Sequence, residues 1–278
     1  SKCRYVYALH PFPGENHLRF DEHYEEDLAK LQAKFKQVID QGVRQIAILA
    51  DDFWNPGGQN GLRLLNDMTE WLKEVKKEYP DMKMTIPYVP YDYMGNGSSQ
   101  ELQILKQAPD NVQIVMTGGR VWGEVTDNFT STFTNNVGRG PFMWINWPCT
   151  DNSKKHLIMG GYDTFLHPGV EPSKIQGIML NPMQQSEPSK VAIFGNASYA
   201  WNIWETKEEA EEIWNASFSF VDHNSAISNE ASDALREMSK HMINQAMDSR
   251  VTALQESVVL KEQLNAFKER LEAETLTA

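Results

Sequence analysis

Short apolar runs separated by amphipathic helical stretches fill the first two thirds of the chain, and that alternation leaves few folds open. The runs are YVYALH from Tyr5, RQIAILA from Arg44, MKMTIPYVP from Met82, VQIVMT from Val112, PFMWINW from Pro141 and IQGIMLN from Ile175. Each is largely apolar along its length, the pattern of a parallel strand covered on both faces. Between the first two runs, Leu28, Leu31, Phe35 and Val38 recur at helical spacing, and Gly42 supplies a stop. LRLLNDMTEWLKEVKKEYP, ended by Pro80, is a second such stretch. A βα repeat of this kind predicts a parallel α/β sheet or barrel. A closed (β/α)8 barrel needs eight strands. Six are visible, and the turn-rich segment from Asp151 to Pro172 offers no other. The two architectures left are a six-stranded doubly wound sheet and a (β/α)8 TIM-barrel-like domain truncated to about six strands.

The pattern changes after Asn202. Helical stretches take over, among them EEAEEIWNASFSFV, ASDALREMSKHMINQAM and VVLKEQLNAFKERLEAE. Leu260, Leu264, Phe267 and Leu271 line one face of the last. This predicts a partial barrel over residues 1–203 and a small all-α helical bundle over 204–278, with apolar stripes that pack the helices together.

Composition narrows the partners. With 26 Lys and Arg against 38 Asp and Glu, the net charge is −12. An acidic surface repels polyanions, which argues against nucleic acid. No apolar run approaches the ~20 residues of a membrane span, so no membrane insertion is expected. The cysteines, Cys3 and Cys149, make no ligand cluster and no disulfide framework. The sequence from Ser1 is not expected to open on a signal peptide, and composition alone does not give the compartment.

The sharpest local signal is AILADD, residues 47–52, where an apolar strand ends in two adjacent carboxylates, Asp51 and Asp52. In βα architectures the C-terminal strand ends form the active-site face. Two carboxyls in a partly buried cleft push their proton affinities apart, which suits acid–base chemistry. A loop cap at Asp52 and a solvated Asp51 account equally well for the pair taken alone. The remaining strand ends add Tyr91, Asp92 and Tyr93, then Thr117-Gly118-Gly119, then Trp144, Asn146 and Trp147 with Asp151 beyond, then Asn181. Each alone reads more simply as a loop cap or a satisfied core group; together they offer the carboxylates, amides and flat aromatic faces that bind a pyranose. Gly57, Gly58 and Gly61 form a glycine-rich stretch without a phosphate-loop spacing, read as a flexible loop. His10 ends the first strand, where a core role is the simpler reading. Asn96, Asn128, Asn196 and Asn215 head sequons, taken as chance because Asn196 falls in a predicted packed helix.

The motifs YALHP, GVRQIAILADD, VPYDY, MTGGRV, WINWPCTD, LNPM and ASYAWN occur in one order between Tyr5 and Asn202. In that order and approximate spacing they resemble glycoside hydrolase family 84, the β-N-acetylglucosaminidases, which include bacterial enzymes called hyaluronidases and the animal O-GlcNAcase. The bacterial branch is the nearer match. The resemblance implies that Asp51 orients the substrate's acetamido group and that Asp52 is the general acid/base. It implies a sugar pocket lined by Tyr93, Thr117, Val121, Trp144, Asn146, Asp151 and Asn181. VPYDY differs from the family's usual residues at Tyr91 and Asp92, which leaves Tyr91 a rival to Tyr93. The family's first two barrel strands have no counterpart here, in agreement with the count of six.

The activity implied is retaining exo-hydrolysis of terminal β-linked N-acetylglucosamine, including O-GlcNAc-type substrates, by substrate-assisted catalysis with no metal or organic cofactor. The chemistry asks for Asp52 protonated and Asp51 ionised at the start. The partners implied are GlcNAc-bearing glycans or glycoproteins, with self-association through exposed barrel edges. The resemblance also implies a parent protein that is secreted or on the cell surface. Endo-cleavage of hyaluronan and an inactive carbohydrate-binding fragment are the competing readings.

Overall fold

The computed structural model describes residues 5–52, 56–151, 157–242 and 255–273. All six predicted runs form strands: β1 (Tyr7–Leu9), β2 (Ile46–Leu49), β3 (Ile86–Val89), β4 (Val112–Met116), β5 (Phe142–Ile145) and β6 (Gly177–Leu180). They make one sheet in the order β1-β2-β3-β4-β5-β6. The ladders from β1 to β5 are parallel, with Ala8 opposite Ala47, Ile48 opposite Tyr88, Tyr88 opposite Ile114 and Met116 opposite Met143. β6 continues the direction, since the Gln176 N–H donates to the Pro141 carbonyl and the Asn181 N–H to that of Ile145. A doubly wound sheet reverses its strand order at a switch point. This sheet never does, so its order is that of a (β/α) barrel represented by six strands.

Helices α1 (Tyr24–Asp40), α2 (Gly58–Glu78), α3 (Gln100–Leu105) and α4 (Asp127–Val137) follow β1 to β4 in turn. α1 buries Leu28, Leu31, Phe35 and Ile39, with Ile39 taking the inward place expected of Val38. Phe35 lies edge-on to Tyr7 of β1 and 6.4 Å from Trp71 of α2. Each such buried side chain contributes about 1.5–3 kcal/mol.

The glycine-rich stretch is not a loop. Gly57 precedes α2, and Gly58 and Gly61 lie in its first turns. A Cβ on Gly58 would sit 2.9 Å from Ile104 Cδ1, and one on Gly61 would sit 3.0 Å from the Tyr88 hydroxyl. Glycine is there because the helix approaches its neighbours too closely for a side chain.

The chain forms two compact units, one of Ser1–Trp144 with Glu171–Met179, the other of Ile145–Val170 with Leu180–Ala278. The second contains α5 (Tyr162–Phe165), α6 (Ser186–Trp201), α7 (Lys207–His223), α8 (Glu230–Ser239) and α9 (Gln255–Glu272). Its core is aromatic: Trp147 stacks on Phe165 and Tyr162 on Trp204. The buried Trp147 indole donates to the Gly160 carbonyl at 2.9 Å, and the Tyr162 hydroxyl to that of Val191. Thr206 caps α7 and Asn229 caps α8. Sequon residue Asn196 is buried in α6. The predicted apolar stripe of α9 does not pack: Leu264, Phe267 and Leu271 are exposed. Among the described residues no helix is long and apolar enough to cross a membrane.

Candidate active site

Side chains alternate along the strands of the first unit. Ile46, Ile48, Ile86 and Tyr88 are fully buried. Between them, Ala47, Leu49, Pro87 and Val89 face a trough of about 730 Å³, lined also by Phe142, Trp144 and Met179. This is the concave face that strand alternation produces in a barrel.

β2 runs into Asp51 and Asp52 while the Ala50 N–H still bonds the Val89 carbonyl at 2.8 Å. Asp51 is half-buried, and its Oδ1 is fully buried with no hydrogen-bond partner among the described residues. Burial pushes its carboxyl above the usual range and the neighbouring Asp52 adds to this, while its own backbone N–H and His10 oppose it. His10 Nε2 lies 2.8 Å from the Asp51 carbonyl oxygen, so this histidine braces the aspartate backbone.

Asp52 has φ +60°, the left-handed region that few residues other than glycine enter. That turn aims its exposed side chain at the loop after β3, where the Tyr93 hydroxyl donates to Asp52 Oδ1 at 2.6 Å. Burial, and then the bond to Asp52, raise the Tyr93 phenol's proton affinity. Of the two rival tyrosines, Tyr93 is 8% exposed and reaches Asp52, whereas Tyr91 is 44% exposed.

Thr117, at the end of β4, is buried, and its backbone N–H donates to the Tyr93 carbonyl at 3.0 Å. Its hydroxyl is spent on the Arg120 carbonyl at 2.6 Å. Gly118, at φ +96°, has no room for a Cβ, which would lie 2.5 Å from the Glu124 carbonyl oxygen. Val121 and Trp144 pack against the cluster of Val89, Tyr93 and Val115. The Trp144 indole N–H is buried without an acceptor among the described residues.

In the second unit, the Asn181 side-chain amide donates to Asn146 Oδ1 at 3.0 Å, and Asn146 is buried. Asp151 is exposed. Cys149 is buried, which pushes its thiol up to about 11, so it is not a ready nucleophile. Cys3 lies outside the described residues. Among the described residues no group of three His, Cys, Asp or Glu could hold a metal ion.

One residue escaped the sequence reading. Glu101 of α3 is buried, and its carboxylate accepts the N–H groups of Tyr91 and Asp92 at 3.1 and 2.8 Å. Its one sequence signal, an acid just after the Ser99 cap, reads as an ordinary first-turn charge.

Sequential parallel strands whose carboxyl ends gather two aspartates and a phenol define the chain as a (β/α)-barrel protein. A family model for β-N-acetylglucosaminidase matches residues 1–240, and the chain belongs to that family. It is similar to the solved structure of CpGH84D, at 31% identity and a TM-score of 0.77 over 97% of this chain and 43% of that one. CpGH84B follows at 24% identity and a TM-score of 0.72, over 97% of this chain and 46% of that one. A variant of the Thermobaculum terrenum O-GlcNAc hydrolase shares the fold at 21% identity and a TM-score of 0.67, over 96% of this chain and 57% of that one. The chain thus spans about half the length of these relatives.

Proposed function

We propose that this chain carries the catalytic face of a retaining exo-β-N-acetylglucosaminidase that uses its substrate's own acetamido group as nucleophile. The observation that carries this reading is the contrast within the aspartate pair. Among the described residues no donor meets the buried Asp51 Oδ1, and Asp52 is exposed and held by Tyr93. A substrate amide N–H would supply a donor to that oxygen. That bond favours the ionised carboxylate, offsetting the burial that raises its proton affinity. The acetamido oxygen then attacks the anomeric carbon as the bond to the leaving oxygen breaks and Asp52 gives that oxygen a proton. Asp51 stabilises the positive charge that develops on the oxazolinium-like intermediate. Water next attacks the anomeric carbon as its bond to the acetamido oxygen breaks and gives its proton to Asp52, which restores the acid and releases N-acetylglucosamine with its configuration retained. This is the substrate-assisted exception to the usual two-carboxylate scheme.

Incubating the chain with an aryl N-acetylglucosaminide, and separately with hyaluronan, tests the reading. Release of monosaccharide with hyaluronan left intact supports it. Depolymerised hyaluronan would favour endo-cleavage, against which the charge of −12 argues. Binding without turnover would make the chain a carbohydrate-binding fragment.

A further inference from the structure

We infer that Glu101 is a positioning residue, holding the loop after β3 so that the Tyr93 hydroxyl stays on Asp52. The consequence for catalysis rests on the function proposed above; the mechanical link does not. A carboxylate is seldom buried without a charged partner. Glu101 is only 8% exposed, and no ion pair to it is formed among the described residues. What it binds is backbone: Oε1 takes the Tyr91 N–H and Oε2 the Asp92 N–H. Burial raises its proton affinity and the nearby Asp92 charge adds to this, while those two N–H bonds oppose it.

The two N–H groups belong to the residues immediately before Tyr93. On the other side, the Tyr93 carbonyl accepts the Thr117 N–H at 3.0 Å. Tyr93 is therefore clamped from both directions along the backbone, and its ring packs against Val89 and Val115. With the backbone fixed and the ring wedged, the hydroxyl has one place to go, Asp52 Oδ1 at 2.6 Å. A carboxylate presents two acceptors in a fork, one for each N–H, whereas glutamine presents one acceptor and a donor amide that opposes the second N–H. Only the carboxylate holds both N–H groups at once.

The test uses the full chain labelled with ¹³C at the tyrosine Cζ, which reports on each phenol without turnover. Tyr93→Phe assigns the Tyr93 resonance, and Asp52→Asn gives its direction of movement when the partner changes. Glu101→Gln should move the Tyr93 resonance the same way while those of Tyr162 and Tyr199 stay put. Glu101→Asp, one methylene too short to reach both N–H groups, should move it likewise and serves if the glutamine variant does not fold. A Tyr93 resonance unmoved in a folded Glu101 variant overturns the inference. With an aryl N-acetylglucosaminide as substrate, Glu101→Gln should lower kcat roughly tenfold with KM little changed, the pattern of lost alignment. The limb of its pH–rate profile that moves should be the one that moves in Tyr93→Phe. The double variant should be no slower than Tyr93→Phe alone. Losses that multiply would mean that Glu101 acts by another route and would overturn the inference. A moved resonance in a parent chain that turns over no substrate would sink the proposed function and uphold the clamp.

Discussion

After β2 and β3 the first unit presents groups that titrate; after β5 and β6 the second presents mostly groups that do not. Burial raises the proton affinity of Asp51 and of Tyr93, which reaches Asp52. Asn146 and Asn181 carry only dipoles, fixed against one another at 3.0 Å. In the first set Asp51 Oδ1 has no donor among the described residues, while in the second Asn181 donates to Asn146. Under the function proposed above, the strand ends of the first unit are expected to serve chemistry and those of the second to serve recognition. Such a division makes different kinetic constants respond to substitution in each unit.

The largest expected effect comes from removing the acid. Asp52→Asn keeps a residue that tolerates the left-handed backbone, so any loss reports on chemistry rather than on strain. Substrates with poor leaving groups should slow by roughly 10²–10⁴-fold, the usual worth of general acid catalysis. Activated aryl glycosides, which need little protonation, should suffer much less. Asp51→Asn keeps an acceptor oxygen but removes the negative charge that the proposed mechanism sets beside the acetamido group, and its loss should be similar for good and poor leaving groups. Measuring kcat/KM against leaving-group pKa for both variants decides the assignment. A steep dependence in Asp51→Asn with a flat one in Asp52→Asn would exchange their roles.

Asn181→Ala probes the other side of the comparison and should do less. It deletes the hydrogen bond that Asn181 donates to Asn146 Oδ1 at 3.0 Å, worth about 0.5–1.5 kcal/mol. If the second unit serves recognition, KM should rise roughly tenfold while kcat stays within a few-fold. A fall in kcat with KM unchanged would place Asn181 in the chemistry and dissolve the proposed division.

The sheet was readable because parallel strands covered on both faces are near-continuous apolar runs, and each of the six runs became a strand. Helix α2 was misread at its start for a physical reason. Gly58 and Gly61 look like loop residues until Tyr88 and Ile104 are seen packed against them. The paired aspartates and the strand-end amides stood out in the sequence because polar residues abruptly follow apolar ones. What no sequence pattern carries is the bond that crosses strands. That Tyr93 rather than Tyr91 meets Asp52, that His10 braces Asp51 and that Glu101 clamps the loop all depend on contacts between residues 9 to 41 positions apart. The stripe of α9 shows the reverse limit, since Leu264, Phe267 and Leu271 promise packing and remain exposed.

The smallest effect is on stability, and it separates a strained site from a relaxed one. Burial raises the Asp51 carboxyl above its unfolded value, which for aspartate is about 3.9. Below that pH both folded and unfolded chains hold the proton, so the group costs nothing. As pH rises from the unfolded towards the folded value, the unfolded chain ionises first and the folded state loses relative stability; above the folded value the penalty is constant. Asp51→Asn removes an ionisable group that folding disfavours. The variant should therefore melt higher than the parent at neutral pH, by roughly 1–3 °C for a chain of this size. The gain should fade as pH drops towards 3. Asn181→Ala, scanned in the same way, should melt lower than the parent at every pH, because an internally paired amide has been broken rather than a strain relieved. Thermal melts of the three proteins between pH 3 and pH 8 decide the matter. If Asp51→Asn is destabilised by a constant amount across that range, the Asp51 carboxylate is part of the scaffold, and the contrast between the two sets of strand ends fails.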